Sequence, residues 1–220
     1  MIFIALDTIN QKKIKSIIKK TQNSKIKFGY KFGLEFLNSK NGRKFVANLK
    51  NKITFGDYKL ADIPKTCRSA MKAVRDLKFN YVTIHIASGL EALKAAKKVA
   101  GKTKLVGVTV LTSLDNKTLK EIGFDKDVKK LVLHQAKLAA KAKLDAIVCS
   151  PHEIRLVKKN FKKEIITPGV RLPGQDKGDQ KRVMTPSKAF KAGATALVMG
   201  RGLLQGNIRD NIQKLLKELN

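Results

Sequence analysis

Short apolar runs rich in β-branched residues alternate with helix-patterned stretches along the chain. The runs are "IFIAL", "IKFGY", "ITFGD", "YVTIHI", "KLVGVTVL", "DAIVCS", "EIITPG" and "ALVMG", eight in all. Their length suits strands, and their near-continuous apolar character suits strands buried on both faces. Amphipathic segments lie between them. From Asp127 to Lys143, Val128, Leu131, Val132, Leu138, Ala139 and Ala142 fall on one helical face. Strands and helices in alternation predict a parallel sheet covered by helices. Eight such units in 220 residues predict an α/β fold of one kind, a compact (β/α)8 TIM barrel. An open doubly wound sheet is the alternative. No short-period repeat or low-complexity linker divides the chain, so residues 1–220 read as one domain.

Polar residues recur where the apolar runs end. In order they are Asp7, Lys31, Asp57 with Lys59, His85, Thr112 with Ser113, Ser150, Thr167-Pro168-Gly169 and Gly200-Arg201. In a barrel of this kind the loops after the strands share one face and build the site there. Such regular placement predicts one shared pocket.

The third run is the richest in charge, in "FGDYKLADIP" from Phe55 to Pro64. Asp57 and Lys59 are two apart and point to the same side of a strand. Asp62 lies beyond the strand, and Pro64 suits the first turn of the next helix. Carboxylates on both sides favour the charged form of a lysine. A lysine so held is a poor Schiff-base nucleophile, which needs a neutral amine, but a good proton donor to a developing carbanion. Lys31, in "YKFGLEF", can add a second positive charge and pair with Asp57. A solvated cluster of surface ion pairs, worth little in energy, has the same spacing. Spacing alone leaves both readings open.

Composition narrows the setting. Hydrophobic residues make up 43% of the chain, as in folded globular proteins. No apolar run approaches the roughly 18 residues of a membrane helix. The start "MIFIALDTIN" meets Asp7 too early for a secretory signal. Cys67 and Cys149 are far apart, in no metal spacing, and suit free thiols in a reducing cytoplasm. The net charge of +30 taken alone points to nucleic acid or an anionic surface. The excess is spread along the chain, mostly as lysine in stretches such as "QKKIKSIIKK" and "RLVKKNFKK", without interleaved aromatics. It reads as a compositional bias that helps anionic ligands rather than as a dedicated nucleic-acid face.

Several motifs in order carry a family resemblance. "DYKLADIPKT" resembles the Asp-x-Lys-x-x-Asp-Ile-Pro-x-Thr signature of the orotidine 5′-phosphate decarboxylases, in their bacterial branch. "FIALD" resembles the family's first strand, "KFGLEF" its second and "VTVLTS" its fifth. "IVCSPHE" resembles the sixth, "TPGVR" the seventh with "GDQKRVMTP" in the loop after it, and "VMGR" the eighth.

The resemblance implies a homodimeric barrel with active sites at the subunit interface. It implies removal of CO2 from orotidine 5′-monophosphate to give UMP, in pyrimidine biosynthesis, without metal or organic cofactor. Lys31, Asp57, Lys59 and Asp62 would form an alternating charge array, with Lys59 the acid that protonates C6 and Asp57 near the substrate carboxylate. Asp62 would reach in from the neighbouring subunit, with Thr66 nearby. Asp7 and Lys31 would hold the ribose hydroxyls. Ser113 would hydrogen-bond the pyrimidine, with Thr112 a weaker candidate. Gly200 and Arg201 would bind the phosphate, and Gln180 would join them from a loop spanning Val170 to Val183 that closes over the site.

Some residues depart from the family pattern. Ala61 stands before the second aspartate, "HIASG" replaces a more usual "HAAGG"-like run, and "GLLQGNIRDN" lacks the common Pro-Ile and Asp-Pro residues. These positions concern packing and flanking loops more than the array. His85 reads as a structural or solvent-bridged histidine, and neither His134 nor His152 has the neighbours of a metal site. Cys149 lacks a cationic partner in sequence, so burial is its expected state.

Two rival functions are open. Sugar-phosphate decarboxylases and aldolases of the same barrel suprafamily share Asp-x-Lys-x-x-Asp but use Mg2+. They place an acidic residue where this chain has Lys31, and they lack the Ile-Pro after the second aspartate. The second rival, a basic nucleic-acid binder, leaves the charges at the strand ends unexplained.

Overall fold

Eight parallel strands pair in chain order, and β8 returns to β1 to close a barrel. The computed structural model describes residues 1–175 and 183–219. The strands are β1 (Ile2–Leu6), β2 (Phe28–Phe32), β3 (Thr54–Leu60), β4 (Tyr81–His85), β5 (Lys104–Val108), β6 (Ala146–Val148), β7 (Glu164–Thr167) and β8 (Ala196–Met199). Each of the eight apolar runs contributes one strand. Helices α1 (Gln11–Thr21), α2 (Leu34–Leu37), α3 (Gly42–Ala47), α4 (Pro64–Val74) and α5 (Leu90–Val99) fill the first connections. Helices α6 (Asn116–Glu121), α7 (Val128–Lys141), α8 (Ile154–Asn160), α9 (Pro186–Ala192), α10 (Arg201–Leu204) and α11 (Ile208–Leu219) complete the outer layer.

The helices form where local chemistry starts them and an apolar stripe holds them. Asn10 caps α1 by accepting from the Lys13 N–H, and Ile14, Ile17, Ile18 and Thr21 bury one face at helical spacing. Pro64 opens α4, where its missing N–H costs nothing. Asp127 is the N-cap of α7 rather than its first residue. The stripe of α7 runs through Val128, Leu131, Val132, Gln135, Ala136 and Ala139, while Leu138 sits at its edge, only partly buried.

The core has two shells. The larger lies between strands and helices; the smaller fills the lumen with Phe3, Phe55, Tyr81, Val106, Ile166 and small residues of β6 and β8. Phe3 packs edge-on against Phe55 and Tyr81, with ring centroids 5.0 and 5.1 Å apart. Gly29 makes room for Phe3, because a Cβ there would lie 2.7 Å from its ring. At the N-terminal mouth Glu164 accepts from Tyr81 Oη at 3.0 Å and pairs with Lys104. Charges at this end of a barrel serve stability, and the lumen above them is apolar until the strands end.

Candidate active site

Above the lumen a cavity of about 280 Å3 opens at the C-terminal ends of the strands. Its floor is apolar, with Ala5, Phe55, Val108, Val148 and Val198, and its polar groups stand on the rim.

Lys31 on β2 and Asp57 on β3 meet across adjacent strands. Lys31 is level with Phe55 in the ladder, so Asp57, two residues on, faces the same side one step higher. Lys31 Nζ donates to Asp57 Oδ2 at 3.1 Å, and Lys59 Nζ donates to the same oxygen at 2.8 Å. Asp7, just past β1, stands 3.6 Å from Lys31 and is far more exposed. Gly33 permits that approach, since a Cβ there would lie 2.9 Å from Asp7 Oδ1.

Lys59 owes its position to an irregular strand. Pairing of β3 with β4 runs Phe55 to Tyr81 and Gly56 to Val82, then resumes at Leu60 with Ile84. Asp57, Tyr58 and Lys59 therefore bulge opposite the single residue Thr83. Lys59 takes a left-handed backbone, φ 50°, a conformation costing a non-glycine residue about 1 kcal/mol or more. Its backbone N–H donates to Thr83 Oγ1 at 2.7 Å, and that hydroxyl donates to Asp57 Oδ1 at 3.0 Å.

Burial and charge oppose each other here. Burial works against ionised Asp57, but Lys31 and Lys59 outweigh it and hold its pKa below the usual carboxylate value. Burial likewise works against the Lys31 ammonium, yet Asp57 and Asp7 raise its pKa above the ordinary lysine value. His85 is half-buried at the end of β4 and does not line the cavity. Burial and then Lys59 lower its pKa, against a smaller opposing effect of Asp57.

Several residues expected at the site line this cavity: Asp7, Lys31, Asp57, Lys59, Thr112, Gly200 and Arg201. Within the protein a Cβ at Gly200 meets only ordinary contacts, Ala5 Cβ at 3.4 Å and Asp7 at 4.0 Å. The room gained by glycine therefore lies on the cavity side. Ser113 is exposed and off the lining, so Thr112 is the residue of the pair that faces the cavity. Asp62 and Thr66 are exposed outside it, with Asp62 Oδ1 accepting from the Ile63 N–H. Gln180 lies outside the described residues, as does the middle of the Val170–Val183 span. Cys149 lines the cavity and is almost wholly buried.

Two residues were not singled out in the sequence. Arg171 lines the cavity along with Arg201 and stood in view in "TPGVR". Thr83 sits inside "YVTIHI", where nothing marks it among strand residues.

A model of the "Orotidine 5'-phosphate decarboxylase / HUMPS family" matches residues 1–213. The chain belongs to this family. The family's curated members include an "Orotidine 5'-phosphate decarboxylase" of Pasteurella multocida, 40% identical over 81% of this chain and 79% of that protein. Another of that name, from Actinobacillus succinogenes, is 35% identical over 100% of this chain and 96% of its own length. Among solved structures, the orotidine 5'-phosphate decarboxylase of Lactobacillus acidophilus superposes with a TM-score of 0.82 at 29% identity. That match covers 100% of this chain and 98% of the other.

Proposed function

We propose that this chain, acting as one catalytic domain over residues 1–220, decarboxylates orotidine 5′-monophosphate to UMP and CO2. The observation that carries the reading is the convergence of Lys31 and Lys59 on one buried oxygen of Asp57, beside a cavity that also bears Arg171 and Arg201. In this reading the bond from C6 to the carboxylate breaks and its electron pair stays on C6. The Lys59 ammonium gives its proton to that carbon, and the lysine regains one from solvent. A cation placed beforehand beside the developing carbanion lowers the barrier without reorganising during the reaction. Asp57 lies near the departing carboxylate, and Asp7 and Lys31 hold the ribose. Thr112, which lines the cavity where Ser113 does not, serves the pyrimidine, while Arg201 with Gly200 and Gln180 takes the phosphate. Binding energy gathered at the phosphate can be used to organise the reacting end.

The reading includes a homodimer in which Asp62 and Thr66 serve the partner's cavity. Support comes from their exposure and from Ile9, Leu34 and Ile63, which are 58%, 45% and 63% exposed after β1, β2 and β3. Apolar side chains grouped on one rim favour a protein partner. The reaction uses no added cofactor, belongs to pyrimidine biosynthesis and takes place in the cytoplasm.

A spectrophotometric assay on orotidine 5′-monophosphate, with and without chelator, tests the reading. Turnover unaffected by EDTA is expected. Activity abolished by EDTA and restored by Mg2+ would move the chain to the sugar-phosphate branch. No turnover, with tight salt-sensitive RNA binding instead, would favour the nucleic-acid alternative.

A further inference from the structure

We propose that Thr83 is a positioning residue that locks Asp57 and Lys59 into working geometry through one hydroxyl. The inference rests on the decarboxylase reading for its kinetic consequence, though not for its geometry. Three residues of β3 stand opposite Thr83 alone, so the regular ladder cannot satisfy the Lys59 N–H. Thr83 Oγ1 accepts that N–H at 2.7 Å. Its single proton goes to Asp57 Oδ1 at 3.0 Å, so both bonds form at once. Thr83 is 1% exposed, so its hydroxyl is shielded from bulk solvent and loss of either bond leaves a buried polar group short of a partner.

The consequence is a division of labour on the carboxylate. Oδ2 receives both lysines and Oδ1 receives Thr83, so the carboxylate plane cannot turn about its last torsion without losing a partner. The same hydroxyl anchors the left-handed backbone of Lys59, from which its side chain starts toward Oδ2. A displacement of about 1 Å in a catalytic group can cost about 100-fold in rate. Removal of the hydroxyl frees both ends of the pair together.

The test compares Thr83→Val, which keeps the shape and removes the hydroxyl, with Thr83→Ser, which keeps the hydroxyl. Thr83→Val is expected to lower kcat about 10- to 100-fold with KM changed less than about 3-fold. Thr83→Ser is expected to restore most of that loss. A second readout needs no substrate: the Asp57 carboxyl titration followed by carbon NMR. The charged or titratable groups facing Asp57 are Lys31 from β2, Lys59 from its own strand and His85 from β4, with Asp7 beyond Lys31. With these unchanged, loss of the Thr83 donor raises the Asp57 titration, and Thr83→Ser returns it. Should Thr83→Val fail to fold, Thr83→Ala, which likewise has no donor, carries the same comparison. An unmoved Asp57 titration in Thr83→Val or Thr83→Ala overturns the proposal. So does a Thr83→Ser enzyme as slow as Thr83→Val, which would assign the effect to methyl packing. Failure of the wild-type enzyme to turn over orotidine 5′-monophosphate overturns the decarboxylase reading alone, because the titration still judges Thr83.

Discussion

Lys31 and Lys59 share a single acceptor, Asp57 Oδ2, at 3.1 and 2.8 Å from two neighbouring strands. Two ammonium groups share this one buried carboxylate, and the other nearby carboxylate, Asp7, stands 3.6 Å from Lys31 and is far more exposed. Water screens such charges poorly when they are partly buried, so the field of the two lysines is felt by whatever enters. A substrate that develops negative charge at this point is favoured over one that does not.

Lys59→Ala removes the proposed acid while leaving Lys31 to neutralise Asp57. Loss of one preplaced donor to a transition-state charge costs about 100- to 1,000-fold in kcat, and loss of the proton source adds to this. Steady-state assays should therefore show at least about a 1,000-fold fall in kcat, with pyrimidine nucleotide binding retained. Turnover near the wild-type level would remove Lys59 from the mechanism.

Arg201→Ala acts at the other end of the cavity. Hydrogen bonds to charged groups contribute about 1.5–3 kcal/mol, roughly 10- to 150-fold in affinity. The expected result is a higher KM for the 5′-monophosphate, with the corresponding nucleoside, which lacks the phosphate, bound no worse than before. Equal losses for nucleotide and nucleoside would place Arg201 away from the phosphate.

The barrel was legible in the sequence because a buried parallel strand writes itself as a short apolar run, and each of the eight runs became a strand. The charged lining of the cavity was legible where local spacing carries it, as for Asp57 and Lys59, or where a strand end does, as for Asp7 and Arg201. Strand register is different, since pairing between β3 and β4 depends on residues far apart and leaves no local period. The bulge opposite Thr83 was therefore invisible, and with it the reason for the Thr83 hydroxyl. Thr112 and Ser113 differ by one position, which changes the facing side of the chain, and the run of apolar residues before them does not settle the phase. Asp62 raises a separate matter, because its proposed role involves a surface that one chain does not enclose.

The charge triad also predicts a pH signature in stability. Asp57 has a depressed folded pKa, so its contribution is present above the unfolded value of about 3.9 and is lost as pH falls through the folded value. Lys31 has a raised folded pKa, so its contribution is present below about 10.4 and is lost as pH rises through the folded value. Asp57→Asn leaves Lys59 without its carboxylate and Lys31 with only the more exposed Asp7, 3.6 Å away, and breaking a buried pair in this way costs about 3 kcal/mol. Urea unfolding should show that deficit at pH 7. It should narrow as pH falls below about 3.9, where the wild type begins to lose the Asp57 contribution, and as pH rises above about 10.4, where it begins to lose that of Lys31. A deficit constant across the range would mean that the triad's charge is not its source.

Asp62 supplies the test of shared sites. It is exposed and outside its own chain's cavity, next to Ile63 on the apolar rim. Asp62→Ala and Lys59→Ala homodimers should each be nearly inactive if Asp62 completes the partner's site. Mixing them in equal amounts and allowing exchange produces heterodimers in which one site combines both intact residues and the other neither. With random pairing of a two-fold symmetric dimer, about a quarter of wild-type activity should return. Residues that act within one chain give no recovery on mixing, because every site then retains a defect. The assay should follow activity against time after mixing, since the regain must keep pace with subunit exchange measured by sedimentation or labelled chains. No recovery after complete exchange would confine Asp62 to its own chain.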